Sequence, residues 1–168
     1  MGDLRDAQEP LKAEYERDPD AAQITLTASG TEQADRRSCS VDIGRAIYEA
    51  ELHEGTGGPG TGACSGDLLL GALAACTQLT AQAVAENFGI DGDVSVEVEG
   101  DLDLRGTLGL DDDVPVGFSD IRLTVGVDAD ESLDPKTAAA FERATETYCV
   151  VYQTLRDPPE IETEWSIS

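Results

Sequence analysis

The chain has 168 residues, 40% of them hydrophobic, which suits one globular domain with a buried core. Thirty-five acidic residues against eleven basic ones give a net charge of -24 and a pI near 4.1. That balance argues against direct binding to nucleic acid or to an anionic membrane, since both are themselves polyanions. Only two of the cations are lysines, Lys12 and Lys136, and the acids are spread along the chain rather than gathered in a tail, as in proteins adapted to high salt.

The opening MGDLRDAQEP is acidic where a signal peptide would be basic and then apolar, and the longest unbroken apolar run, Leu68 to Cys76, is too short to cross a bilayer. The expectation is a soluble, cytoplasmic protein. Residues 3–18 place Leu4, Ala7, Leu11 and Tyr15 on one helical face, with Pro10 tolerable only if it opens a second short helix. Residues 1–22 therefore read as a helical docking segment ahead of a domain over 23–168. Next, ITLTASG, RRSCSVD and RAIYEAEL predict three short antiparallel strands. HEGTGGPGTGACSG is a glycine-rich loop.

A long helix is predicted from about Ser65 to Phe88, stopped by Gly89 at the place of a helix C-cap. Leu69, Leu73, Cys76, Thr80, Ala83 and Asn87 recur along it at intervals of three and four, which puts Cys76 on one face of the helix rather than at an end. Period-two alternation over 94–105 and 119–128 predicts a second antiparallel pair of strands. Asp134 as N-cap and Pro135 at the first helical position open a helix with Ala138, Phe141, Ala144 and Tyr148 toward the core. It ends near Cys149, where a short new helix begins or the old one stops. EIETEWSIS reads as a closing strand. The resulting order, β-β-β-α-β-β-α-β, is an α+β fold.

The four cysteines, Cys39, Cys64, Cys76 and Cys149, would make two disulfides by parity; without a secretion signal, redox chemistry or plain burial is the better reading. The lack of any CxxC pair and the single histidine, His53, speak against a metal site and against a Cys-His or Ser-His-Asp hydrolase.

GDLLLGALAACTQLTAQAVAEN, followed 73 positions after Cys76 by YCVVYQTL, resembles the OsmC/Ohr family, with the likeness running over roughly residues 23–167. The resemblance implies antiparallel sheets around a central cysteine-bearing helix, two chains intertwined as a homodimer, and thiol-dependent reduction of organic hydroperoxides without any cofactor. It implies Cys76 as the attacking cysteine and Cys149 as the resolving one. The electrons would come from an external dithiol, a lipoylated protein or a thioredoxin-like reductant. Asp67 stands nine residues before Cys76, where the family has its glutamate. For the family's arginine the positional match is Arg37, with Arg36, Arg45 and Arg105 as alternatives. Val150 occupies the place of the proline in the family's C-P-V turn. Cys39 and Cys64 read as structural.

A thiol of ordinary pKa is only a few per cent thiolate at neutral pH, and an apolar setting lowers that fraction, so a reactive Cys76 calls for a nearby cation. An arginine suits the task because it stays charged when desolvated and can also stabilise a leaving alkoxide. The alternative function is a dimeric protein that binds a small hydrophobic ligand in the same apolar setting, or one that senses oxidation. One consequence of the acidic surface is independent of either function. Thermal stability is expected to rise from dilute buffer to molar potassium chloride, because salt screens repulsion among exposed carboxylates; a melting temperature that stays flat or falls would remove the high-salt reading.

Overall fold

In the structure, a computed structural model that describes residues 4–35, 37–129 and 132–167, the chain forms two compact units. The first unit holds the chain up to Leu69 together with Gly100–Ile121, and the second holds Leu70–Glu99 with the chain from Arg122 onward. The observed elements are α+β, as the sequence predicts.

The first unit opens with α1 (Leu4–Arg17), followed by a 3-10 turn at Pro19–Ala22. Pro10 lies inside α1 and does not split it, contrary to the expectation of two helices. It removes one N–H donor, but the strong helix formers around it carry the helix through. Three antiparallel strands follow, β1 (Ser29–Glu32), β2 (Ser38–Asp42) and β3 (Ile47–Glu51), with Cys39 opposite Glu32 on one side and Ala50 on the other. Ala50 is buried and forms a parallel bridge to Ala63, which ties the glycine-rich loop to the sheet edge. The predicted strand over ITLT is not formed. Ile24 and Leu26 are 78% and 86% exposed, and β-propensity without a hydrogen-bonding neighbour makes no strand.

Helix α2 (Ser65–Phe88) matches its predicted bounds, and Gly89 ends it at φ 66°, with the N–H of Ile90 returning to the carbonyl of Ala85. Taken whole, α2 is long and apolar enough, by length and composition alone, to cross a membrane. Thr77, Gln78 and Thr80 interrupt the apolar run without adding charge, so the unbroken run Leu68 to Cys76 understates the helix.

In the second unit β4 (Gly92–Asp101) pairs with β5 (Asp120–Ala129). A Cβ on Gly92 would stand 2.3 Å from the carbonyl oxygen of Asp128, so only glycine permits this close antiparallel approach. β4 stops at Asp101, short of the predicted end at 105, because Asp103 caps a helical turn, α3 (Leu104–Thr107), by accepting the N–H of Arg105. Helix α4 (Pro135–Tyr148) begins as predicted, with Asp134 accepting the N–H groups of Lys136 and Thr137. Its buried line is Phe141 and Thr145; Tyr148, expected in the core, is 71% exposed at the last residue of the helix. A last helix, α5 (Val150–Arg156), follows without a loop. No strand forms over EIETEWSIS among the described residues, and Ile161, Trp165 and Ile167 are exposed.

The core of the second unit packs Ala81, Val84 and Ala85 of α2 against Phe141 of α4, with Val94, Val125 and Val127 of the strands around them. Small residues on α2 let the phenyl ring close in, and Phe141 is 4% exposed. Phe141→Ala is expected to cost about 3–5 kcal/mol of stability in chemical denaturation; a loss under ~1 kcal/mol would mean the ring is not the centre of this core.

Candidate active site

The buried line of α2 is Leu73, Thr77, Ala81, Val84 and Ala85. This is not the line the spacing predicts. Cys76 stands beside it, half-buried, with Thr80 one turn on along the same flank. A thiol on the flank of a core helix has one side on packed protein and one side reachable from outside.

Cys149 is supplied by the break between α4 and α5. Its own φ and ψ, -77° and 105°, are extended, so it ends one helix and begins the next: its N–H donates to the carbonyl of Thr145 at 3.1 Å, and its carbonyl accepts from the N–H of Gln153 at 2.9 Å. The side chain is 1% exposed. Because the first N–H groups of any helix lack partners inside it, those of α5 are free to bond elsewhere, and here they serve Cys76.

Burial pushes the Cys76 thiol up, but the N–H of Val151, the thiol of Cys149, the N–H of Val150 and the hydroxyl of Thr80 together outweigh it. The net effect lowers its pKa from the ordinary thiol value. All these donors are neutral dipoles. Cys149 also meets Thr77, whose Oγ1 lies 3.5 Å from its Sγ. The four cysteines are free thiols, so the pair is in its reduced form. Behind Cys149 lies a cavity of about 350 Å³ whose walls include Val125, Val127 and Phe141, with Thr77 and Thr145 also lining it. The hydroxyl of Thr145 is buried without a hydrogen-bond partner.

The remaining sequence-predicted residues lie in the first unit. Asp67, in the first turn of α2, accepts the N–H of Cys64 at 2.8 Å. That bond, with one from the Cys64 thiol, holds its carboxyl below the ordinary carboxylate range. This is a capping role, favoured by the helix dipole. Arg37 stands just before β2 and grips Asp35, with Nη2 2.8 Å from Oδ2 and Nε 3.0 Å from Oδ1. Arg105, expected on a strand, sits in α3 and pairs with Asp103 and, at 3.4 Å, with Asp111. Their carboxylate partners Asp35 and Asp103 are each pulled down to about 2 by the bonded guanidinium. Arg45 is exposed in the turn between β2 and β3, and Arg36 lies outside the described residues. Cys64 is half-buried beside Asp67, and Cys39 is half-buried within β2. No cluster of three or more His, Cys, Asp or Glu placed to hold a metal ion occurs among the described residues.

Sequence reasoning found both thiols but missed the donors around them, Thr80 and the N–H groups of Val150 and Val151. The signal was the replacement of the family's turn proline by Val150. A proline there has no N–H to give, whereas valine has one.

The fold is α+β, with one free thiol on a long core helix and another at a helix break. The profile of the family described as OsmC-like protein matches residues 58–164, more than half of the chain, and the chain belongs to that family. Among solved structures it is similar to an OsmC like protein from Mycoplasma pneumoniae, at 19% identity and a TM-score of 0.64 over 81% of this chain and 90% of that one. It is also similar to an organic hydroperoxide resistance protein OsmC from Legionella pneumophila, at 20% identity and a TM-score of 0.58 over 80% and 90%. An organic hydroperoxide resistance protein from Elizabethkingia anophelis matches at 18% identity, with a TM-score of 0.56 over 81% and 91%. At these identities the likeness is one of fold. No curated protein is a significant match to the sequence.

The donors around Cys76 make its pKa testable without any substrate. Val150→Pro deletes a single N–H at the first position of α5, where proline is well accepted, and the preceding Cys149 is already extended as a residue before proline must be. The pH midpoint for alkylation of Cys76 is expected to lie below that of an ordinary thiol in the wild type and to move up in the variant, with an unchanged circular dichroism spectrum. An unmoved midpoint would remove the α5 donors from the account.

Proposed function

We propose that this chain is a thiol peroxidase for organic hydroperoxides. The observation that carries the reading is the place of Cys149 at the break between α4 and α5, where its thiol and the first N–H groups of α5 lower the pKa of Cys76. A thiolate is the nucleophile peroxide reduction needs, and a second thiol in contact with it is what resolution needs. Family membership and the neighbours described as organic hydroperoxide resistance proteins support a peroxide-related role.

The Cys76 thiolate attacks the outer oxygen of the hydroperoxide; the S–O bond forms as the O–O bond breaks, and the alkoxide leaves and takes a proton to become the alcohol. Cys76 is then a sulfenic acid. Cys149 attacks its sulfur, the disulfide forms and water leaves. An external dithiol, on a lipoylated or thioredoxin-like protein, restores both thiols by exchange. A cation at the leaving alkoxide would lower the first barrier, and Arg37 is the first choice for it, with Arg36, Arg45 and Arg105 behind. Arg37 and Arg105 would serve only by loosening from Asp35 and from Asp103. Asp67 supports the site through the start of α2 rather than by contact with peroxide.

The reading includes a homodimer. Only 28% of the most apolar stretch of α2 is buried within the chain, Leu79 is 68% exposed, and the β-forming segments around Ile24 and Trp165 have no strand partner. A second copy supplies both a cover and partners. With α2 covered, it is the core helix of a soluble protein.

One observation favours a binding role instead, the apolar cavity behind Cys149 with its unpaired Thr145 hydroxyl. Peroxide-treated protein in molar salt separates the two. The peroxidase reading expects a Cys76–Cys149 linkage by non-reducing mass spectrometry, alkyl hydroperoxide consumption abolished in Cys76→Ser, and a rate lowered ~10-fold to 1000-fold by Met at the arginine that serves the alkoxide. In the same buffer, light scattering should give twice the chain mass of 17.7 kDa. Oxidation of Cys39 or Cys64 with Cys76 left free would sink the peroxidase reading and leave the binding role.

A further inference from the structure

The bond between Thr77 and Cys149 is not used by the peroxide step. Thr77 and Cys149 are each 1% exposed, and among the described residues no other side chain of that size is buried so completely. A threonine inside a helix usually turns its hydroxyl back to the carbonyl four residues earlier, as Thr154 does to Val150 at 2.8 Å. Thr77 instead turns to a sulfur. Either group can donate while both carry a hydrogen; once Cys149 gives up its proton, the Thr77 hydroxyl is the donor and Cys149 Sγ the acceptor.

We propose that Thr77 is a positioning residue for the resolving step, holding Cys149 Sγ toward Cys76 and donating a hydrogen bond to that sulfur as its proton leaves. The proposal rests on the peroxidase reading and adds to it a residue that neither the family resemblance nor the sequence pattern singled out. Once Cys76 is a sulfenic acid, Cys149 Sγ attacks Cys76 Sγ; the S–S bond forms and the S–O bond breaks. The proton from Cys149 leaves with the hydroxide as water, so no further oxidant is needed. Negative charge gathers on Cys149 Sγ as that proton departs, and the Thr77 hydroxyl is the donor already aimed at it.

The experiment follows one turnover with cumene hydroperoxide in rapid-quench samples, trapping the Cys76 sulfenic acid with dimedone and reading the disulfide by mass spectrometry. Thr77→Val is expected to form the sulfenic acid at the wild-type rate and to lose it ~10-fold or more slowly, the size of effect that loss of one hydrogen bond to a charged atom produces. Thr77→Ser should restore wild-type resolution. Thr77→Ala, with the hydroxyl removed and less bulk left, gives a second slow variant should valine disturb the fold. Resolution at the wild-type rate in both Thr77→Val and Thr77→Ala overturns the proposal, as does a Thr77→Ser variant as slow as Thr77→Val. A wild-type chain that forms the sulfenic acid and no Cys76–Cys149 disulfide overturns the peroxidase reading itself, and is told apart from a failure of Thr77 alone because it appears before any substitution is made.

Discussion

The break in the chain at Cys149 is the constraint on which the site depends. A continuous helix from Pro135 to Arg156 would use every N–H in its interior and would have none to offer a neighbouring sulfur. One extended residue changes that. It ends α4, frees the first N–H groups of α5, and sets its own thiol against Cys76, all while its backbone N–H and carbonyl stay bonded to Thr145 and Gln153. The cost of interrupting the helix is therefore small, because few polar groups are left without partners, and what is gained is a set of donors aimed at one atom.

The kind of donor matters in a chain of this charge. With 35 acidic residues, the arginines near the first sheet and α3 have carboxylates close at hand, and Arg37 and Arg105 are held by them. Surface ion pairs of that sort are weak and weaken further as salt rises. Backbone N–H groups, a thiol and a threonine hydroxyl carry no net charge to be screened and cannot be captured by a neighbouring aspartate. A thiol polarised by such groups keeps its reactivity across a wide range of ionic strength.

The two segments that read as strands and are not strands share one cause. Residues 23–28 and 160–167 have the alternation or the β-branched content of strands, and their apolar side chains are exposed, yet a strand exists only where another strand accepts its hydrogen bonds. The same chain leaves the outer side of α2 largely uncovered. Local pattern states what a segment is suited to, and the partner that completes it lies elsewhere.

Much of this protein is legible in sequence because it is written in short-range chemistry. Helix α2 and its glycine stop, the aspartate and proline that open α4, and the alternating strands β4 and β5 follow from residues within a few positions of one another. The two cysteines stand out through the motifs that surround them. The geometry that makes them chemically interesting is of another kind. Spacing alone put Cys76 on one face of its helix; the observed buried line runs through Thr77, one residue on, because small residues at Ala81 and Ala85 let Phe141 pack there. Nothing local says that the N–H groups of residues 150 and 151 meet a sulfur more than seventy residues earlier, or that Asp67 turns back to Cys64 to cap its own helix. Those choices belong to the tertiary structure, since a hydrogen bond between distant residues depends on where packing brings two helices together, and packing is decided by shape complementarity across the whole core rather than by the residue types along any one stretch.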